Sequence, residues 1–342
     1  MPDKTRAVLV GCGGITKAWL PPIQALDSVE MVGLVDIVLD SARARAQEFA
    51  LDNVLIGDDL EAVLAQTRPD VVFNCTVPEA HAPVTLTALA HGCHVLTEKP
   101  LADTMDNAYR MIEAAEEADR ILAVIQNRRY DANIRRLRHL VEEEAVGPLT
   151  TVHCDFLLGA HFGGFRDRMA HVLLLDMAIH TFDAARLITG ADPVSVYCHE
   201  WNPAGSWYDR DASAVAIFEM SDGLVYTYRG SWCAEGLNTT WESDWRLIGQ
   251  QGSLHWDGAT LIEGEVVTDA GGFRSDLAPV HVPEVDPGDK VGGHAGVIGE
   301  FIRCVRSGET PETVATDNAK SLAMVLGAIE SAETGNKIQI QV

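Results

Sequence analysis

A short apolar run, Ala7-Val8-Leu9-Val10, enters Gly11-Cys12-Gly13-Gly14-Ile15-Thr16, and a helical pattern follows from Ile15 to Ala25. Strand, glycine turn and helix in immediate succession leave few folds open, because the turn must reverse the chain within a few residues and lay the helix back on its strand. Gly11 permits the tight turn, and Gly13 lets a ligand approach the backbone at the positive end of the helix. Thr16 stands where a third Gly or Ala is usual, which predicts a helix set slightly further from the strand. Further β-rich runs at Met31–Val35, Val71–Cys75, Val95–Thr97 and Ile121–Ile125 alternate with helical patterns at Ser41–Phe49, Leu60–Thr67, Ala82–His91 and Asn107–Ala118. That alternation is the signature of an α/β, doubly wound parallel sheet of Rossmann type, expected over residues 1–125.

After a helical stretch at Ala132–Glu144 the period changes. Ala212–Met220 and Leu224–Trp232 alternate around Asp222-Gly223, a hairpin signal, and Thr150–Leu157, Val194–His199, Trp245–Ile248 and Ser253–Trp256 read as further strands. Helices are expected at Val172–Thr189, Gly296–Arg306 and Thr316–Thr334. Residues 126–342 therefore predict an α+β domain with a mostly antiparallel sheet.

The chain has 342 residues, enough for two cores, and a formal charge of −24 from 26 basic and 50 acidic residues. Such a charge repels phosphate backbones and anionic lipid, so nucleic acid and membrane surfaces are not expected partners. No apolar run approaches the roughly 18 to 20 residues of a spanning helix. Leu9-Val10-Gly11-Cys12 mimics a lipoprotein cleavage box, but the apolar stretch before it is too short for a signal peptide. Seven scattered cysteines without CxxC spacing read as reduced thiols, and a cytoplasmic location is expected.

The second strand ends in Asp36, about 20 residues past the glycine turn, where an acidic side chain receives ribose hydroxyls in dinucleotide-binding domains. Polar groups gather after the next two strands: Thr76, Pro78 and His81 after one, Glu98-Lys99-Pro100 after the other. His81 is read first as a residue of a helix start. Lys99 is notable because lysine is scarce in this chain. The helical stretch VLLLDMAIHTFDAARLIT is apolar nearly all round except for Asp176, His180 and Asp183, spaced i, i+4, i+7 as one polar stripe. A carboxylate one turn from a histidine can orient it, making His180 a candidate proton acceptor with Asp176 as its partner. A structural Asp-His bond and a metal site are the alternatives; only His171 lies nearby as a third ligand, so no metal is expected.

With the glycine turn, Asp36, Glu98-Lys99-Pro100 and Asp176-x-x-x-His180 in this order, the chain resembles the glucose-fructose oxidoreductase/inositol dehydrogenase (Gfo/Idh/MocA) family over essentially its whole length. The resemblance implies NAD as cofactor, with Gly11, Gly13, Gly14, Ile15, Asp36, Thr76, Pro78, His81, Glu98 and Lys99 as cofactor-binding positions. It implies that Lys99 binds and polarises the reacting hydroxyl, that His180 is the acid/base and that Asp176 assists substrate placement. The Lys99-Pro100 bond is often cis in such proteins. The approach to the Asp/His helix departs from the family's glycine-rich pattern and reads Arg166-Asp167-Arg168-Met169-Ala170-His171. Tyr130, His161, Arg166, Arg168, Trp232 and Glu235 are accordingly candidate substrate contacts, and Arg166 or Arg168 leaves room for a carboxylated sugar.

The function these implications favour is an NAD-dependent dehydrogenase of a secondary hydroxyl on a cyclic polyol or sugar. The alternatives are a dinucleotide-binding regulator without turnover and an NAD-dependent glycoside-cleaving enzyme. The expected partners are a small sugar, polyol or sugar-acid substrate and further copies of the chain, as a homodimer or homotetramer built on the open sheet face. Asp36 opposes a 2′-phosphate and so favours NAD over NADP, with Arg43 and Arg45 on the next helix able to soften the effect.

Overall fold

The computed structural model describes residues 4–284, 288 and 290–341. They fall into two compact units, Met1–Tyr130 with Asp289–Leu322, and Asp131–Gly288 with Ala323–Val342.

The first unit opens with β1 (Thr5–Val10), α1 (Thr16–Gln24), β2 (Val29–Val35), α2 (Leu39–Glu48), β3 (Leu55–Gly57), α3 (Leu60–Thr67), β4 (Val71–Asn74), α4 (Pro78–Ala90), β5 (His94–Thr97), α5 (Met105–Glu117) and β6 (Leu122–Val124). The six strands pair in parallel in the order β3-β2-β1-β4-β5-β6, the doubly wound order in which the chain reverses direction beside β1. β4 is buried along its whole length, as a strand covered on both faces requires. Helix starts follow local chemistry: Asp59 caps α3 by accepting from Ala62 N, Thr104 caps α5 by accepting from Asn107 N, and Pro78 occupies the first turn of α4. Sequence reading missed β3, which is only three residues long.

In the second unit α6 (Ala132–Glu142) leads to β7 (Leu149–Leu157) and then α7 (Ile179–Thr189), β8 (Pro193–Trp201), β9 (Ser213–Met220), β10 (Val225–Ser231), β11 (Asp244–Gly249), β12 (Gly252–Trp256), β13 (Ile262–Asp269) and β14 (Asp276–Pro279). The predicted hairpin joins β9 and β10, with Asp222 and Gly223 both at positive φ, 60° and 77°. Such a backbone suits Asp and Gly better than bulkier residues. The sheet is antiparallel except where β10 runs parallel to β7. On its inner face Phe182 of α7 packs edge-on against Phe218 and Tyr228, with ring centroids 4.8 and 5.2 Å apart.

The segment expected as one α-helix from Val172 to Thr189 is divided. Leu173–Ala178 forms a π-helical turn, and the α-helix begins at Ile179. A π turn hydrogen-bonds from i to i+5 instead of i+4 and so widens the helix at Asp176, while His180 and Asp183 lie beyond it in the α-helix.

After the second unit's sheet the chain forms α8 (His294–Ser307) and α9 (Ala315–Thr334), and it ends with β15 (Ile338–Gln339), which pairs with β8. The expected division at residue 125 is corrected here, because α8 belongs to the first unit. Its Val297, Ile298, Phe301 and Ile302 are buried in the core formed by Trp19, Phe73 and Leu96. Burying side chains of this size stabilises by roughly 1.5 to 3 kcal/mol each, more than the chain distance to α8 opposes.

Candidate active site

The first unit gathers its polar groups at the carboxyl ends of β1, β2, β4 and β5. Gly11 has φ +87°, and a Cβ there would lie 2.7 Å from the carbonyl carbon and oxygen of Cys75, so the turn after β1 presses directly on the end of β4. A Cβ on Gly13 or Gly14 would meet nothing within 4 Å. Ile15 precedes α1 without a side-chain cap, and the first turn of α1 holds no acidic residue. An anion approaching this turn therefore meets open backbone and the positive end of a helix. Thr16 is buried, and its hydroxyl donates to Gly13 O at 2.6 Å, folding back onto the turn in place of the usual small residue.

Asp36 accepts from Cys12 N at 2.7 Å through Oδ2 and from Val38 N at 2.8 Å through Oδ1. Each oxygen keeps acceptor capacity for a ribose hydroxyl. Arg45 is buried, with Nη2 donating to Gly13 O at 3.0 Å and to Cys12 O at 3.3 Å, and it also pairs with Glu48. Arg43 pairs with Asp40. Both guanidinium groups thus have carboxylate partners of their own. Four apolar side chains that sequence reading gave no common purpose, Ile15, Ile37, Val38 and Val77, are exposed along this same edge. Glycine turn, helix end, acid and apolar rim all fit an NAD molecule.

Lys99 is held through its backbone. The Lys99-Pro100 bond is cis. Lys99 N donates to Glu98 Oε2 at 3.0 Å, while Glu98 Oε1 accepts from Trp19 Nε1 at 2.7 Å. On the other side the Pro100 carbonyl meets His81 Nδ1 at 2.8 Å, and His81 Nε2 lies 3.1 Å from Thr76 O. Glu98 and His81 were expected at the cofactor. The structure shows both as internal braces: they are buried, each Glu98 carboxylate oxygen accepts one bond from the protein, and each His81 ring nitrogen meets a backbone carbonyl. Burial holds the His81 pKa below its ordinary value, against the pull of the two carbonyls. Thr76 Oγ1 donates to the buried Asn74 at 2.7 Å, tying the end of β4 into the same brace.

His294, at the start of α8, was not anticipated. Its ring lies edge-on to Trp19, 6.4 Å between centroids, and burial together with the nearby charge of Lys99 lowers its pKa. It stands 195 positions after Lys99 in a stretch without a motif, so no sequence signal marked it. Tyr130, expected to read substrate, is a second correction: it is buried, and its hydroxyl is bonded to Glu300 within the first unit.

In the second unit Asp176 lies in the π turn and accepts two bonds from Arg166, from Nε at 2.7 Å and from Nη2 at 3.3 Å. The helix spacing had not indicated this partner. The guanidinium carbon also sits 5.0 and 4.9 Å from the ring centroids of Phe162 and Phe165. His180 is half-buried in the first turn of α7, and its Nδ1 lies inside the protein. Asp183 leaves the expected stripe, being buried beside Arg186, which also pairs with Asp192. His161 Nε2 lies 2.8 Å from Glu235 Oε1, and Arg168 is exposed. Trp232 is corrected from substrate contact to core residue: it is buried, edge-on to Phe156 and Phe162.

His171 has φ +51° and joins Glu200 at 2.5 Å and Glu333 at 3.4 Å. The bond from Glu200 raises its pKa above the ordinary value. A raised histidine pKa stabilises the fold fully below the unfolded value near 6.5, and that contribution is lost as pH rises through the raised value. His171→Ala should cost about 2 to 4 kcal/mol at pH 6, because it leaves the buried Glu200 carboxylate without its cation. Urea unfolding at pH 6 and pH 9 checks this, since the penalty should shrink at the higher pH.

The two units present an NAD-type Rossmann sheet and a mostly antiparallel sheet whose helical segment carries an aspartate and a histidine. This is the architecture of a nicotinamide-dependent oxidoreductase. Residues 5–126 match the model of an oxidoreductase family with an NAD-binding Rossmann fold, and residues 134–255 match the Gfo/Idh/MocA C-terminal domain. The chain belongs to the Gfo/Idh/MocA family, and its cofactor is NAD. It is 30% identical to an uncharacterized protein of Sinorhizobium fredii over 97% of this chain and 94% of that one. It is 26% identical to D-glucoside 3-dehydrogenase of Escherichia coli over 98% and 97%. A crystal structure of an oxidoreductase from Agrobacterium radiobacter in complex with NAD+, L-tartaric acid and magnesium superposes with TM-score 0.84 at 20% identity, covering 98% of each chain. No helix among the described residues is long and apolar enough to cross a membrane.

Proposed function

We propose that this oxidoreductase removes hydride from a secondary hydroxyl of a cyclic polyol or sugar, with Lys99, Asp176 and His180 as its catalytic residues. The observation that carries the reading is the brace around Lys99, which fixes the backbone on both sides of a lysine at the ligand-binding edge of an NAD-type sheet. A regulator without turnover has no need of a lysine so fixed, together with a histidine on a π-bulged helix. The D-glucoside 3-dehydrogenase relative supports a carbohydrate substrate.

NAD, when bound, supplies the hydride acceptor. The Lys99 ammonium stabilises negative charge growing on the substrate oxygen. Because Nδ1 of His180 lies inside the protein, Nε2 is the nitrogen assigned to take the hydroxyl proton, and Asp176, held by Arg166, accepts a neighbouring hydroxyl. Proton and hydride leave the same H–C–O–H unit, so the alcohol becomes a ketone and no charged carbon centre accumulates. An NADH-absorbance screen over inositols, aldoses, anhydrosugars, glycosides and sugar acids tests the reading. Absence of NAD reduction across the panel, with NAD shown to bind, would favour the regulator. Glycoside cleavage without net NADH would favour the glycoside-cleaving alternative.

Asp36 sets the cofactor preference. Like charges near 4 Å repel by roughly 1 to 4 kcal/mol, and Arg43 and Arg45 are already paired with Asp40 and Glu48. The kcat/KM with NAD should exceed that with NADP by about tenfold or more. Equal values with the two cofactors would contradict the role given to Asp36.

The sheet of the second unit supports a homodimer or homotetramer. Tyr197 and Ile217 face each other across β8 and β9 and are each 46% exposed, on the face opposite the buried Val196, Cys198 and Phe218. Light scattering at micromolar concentration should return two or four chain masses, and Ile217→Asp should shift the distribution toward one. A wild-type monomer removes the proposal.

A further inference from the structure

The segment 158–171 carries three side-chain pairs, Arg166–Asp176, His161–Glu235 and His171–Glu200, and the reaction proposed above uses only the first of them. Arg166–Asp176, flanked by Phe162 and Phe165, belongs with the reacting ring. His161–Glu235 is built in the same style five residues earlier. The imidazole stacks on Trp207 with centroids 3.7 Å apart and planes within 15°, while the His161 and Glu235 side chains remain 61% and 66% exposed.

The support beneath this second pair is rigid. Trp207 Nε1 and the Tyr208 hydroxyl both donate to Ala160 O, at 2.9 and 2.6 Å. Gly159 bridges to Cys233, and a Cβ at Gly159 would lie 2.9 Å from the Glu235 carboxyl carbon, so the backbone packs directly against that side chain. An exposed ion pair returns only about 0 to 1 kcal/mol of stability. Packing of Trp207 and Tyr208 on the core accounts for the support itself, but not for the exposed His161 and Glu235 side chains held together above it.

The chemistry offered at His161 is a flat ring face beside a carboxylate acceptor and an imidazole nitrogen. A sugar ring presents the complement, an apolar C–H face bounded by hydroxyl donors and acceptors. We propose that His161 and Glu235, backed by Trp207, form a second carbohydrate subsite, so that the substrate class is a glycoside or oligosaccharide whose other ring is oxidised at Asp176. This proposal rests on the dehydrogenase reading for the ring that reacts, and on the geometry of the second unit alone for the ring that does not.

The test pairs each monosaccharide with its glycosides: glucose with methyl β-glucoside, cellobiose and maltose, and galactose with lactose. Turnover is followed as NADH formation, and binding by calorimetric titration of the NADH-loaded chain. At least one disaccharide should exceed its monosaccharide in kcat/KM by about tenfold or more, and Glu235→Gln or Trp207→Leu should collapse that ratio toward one, mainly through KM. Should Trp207→Leu fail to fold, Glu235→Gln gives the same readout with the support intact. A disaccharide no better than its monosaccharide, or variants that lower both substrates equally, overturns the subsite. Failure of every disaccharide to bind overturns it as well, whether or not monosaccharides turn over. If a disaccharide binds, binding is lost in Glu235→Gln, and no sugar reduces NAD, the subsite stands and the dehydrogenase reading fails.

Discussion

His180→Ala and Lys99→Ala are each expected to lower kcat for sugar or polyol oxidation by about 10² to 10⁴, the range typical of acid/base groups, while NAD affinity changes little. The two losses have different origins. Without His180 the hydroxyl proton has no fixed acceptor, and hydride departure leaves a protonated carbonyl that must lose its proton to water. On the proposed mechanism, removing Lys99 takes away the cation assigned to the developing alkoxide. Lys99→Arg should not restore the rate, because a planar guanidinium does not reproduce a compact ammonium on a braced backbone. Stopped-flow NADH formation under saturating NAD separates these effects from binding. A His180→Ala protein that turns over near the wild-type rate would make His180 a structural residue and end the mechanism.

The brace around Lys99 also shows where sequence reading stops. Glu98-Lys99-Pro100 was legible as a motif at a strand end, and the glycine turn with Asp36 was legible because its parts lie close together along the chain. What Glu98 does was not: its partner Trp19 is 79 positions away, on the helix that follows the glycine turn. His81 likewise reads as a helix residue until both of its ring nitrogens are seen on carbonyls. The same holds in the second unit. Asp176 and His180 were found by helical spacing, but that spacing signalled neither the π turn over Leu173–Ala178 nor Arg166 as a partner of the Asp176 carboxylate.

Strand assignment failed for comparable physical reasons. β3 has three residues, too few to display a period, and Gly57 within it is forced by contact, since a Cβ there would lie 2.5 Å from Val63. β13 carries Glu263 and Glu265, and β14 pairs only with β13 at the sheet edge, so neither shows the apolar alternation of a covered strand. β4, buried on both faces, and β9, which alternates buried and exposed residues, were read directly. α8 was read as a helix but placed in the wrong unit, because amphipathic pattern reports that one face is buried and not which core receives it.

The glycine turn allows fold and cofactor binding to be separated by two neighbouring substitutions. Gly11→Ala places a methyl 2.7 Å from the Cys75 carbonyl and 2.8 Å from Thr76 N, backbone atoms that cannot swing aside, at a φ of +87° that L-residues rarely adopt. Strain and overpacking together should destabilise the chain by about 2 to 5 kcal/mol. Gly13→Ala meets nothing within 4 Å, so its stability should stay within about 0.5 kcal/mol of wild type. The new methyl projects instead into the open space over the turn, where a pyrophosphate would approach the start of α1. NADH affinity in Gly13→Ala should therefore fall by about tenfold to a hundredfold, the effect of holding a diphosphate away from donor groups worth about 1.5 to 3 kcal/mol. Urea unfolding reads the first expectation and NADH fluorescence titration the second. A Gly13→Ala protein that binds NADH with wild-type affinity would show that the diphosphate does not lie over this turn, and the cofactor pose drawn from Gly11, Gly13 and Asp36 would have to be abandoned.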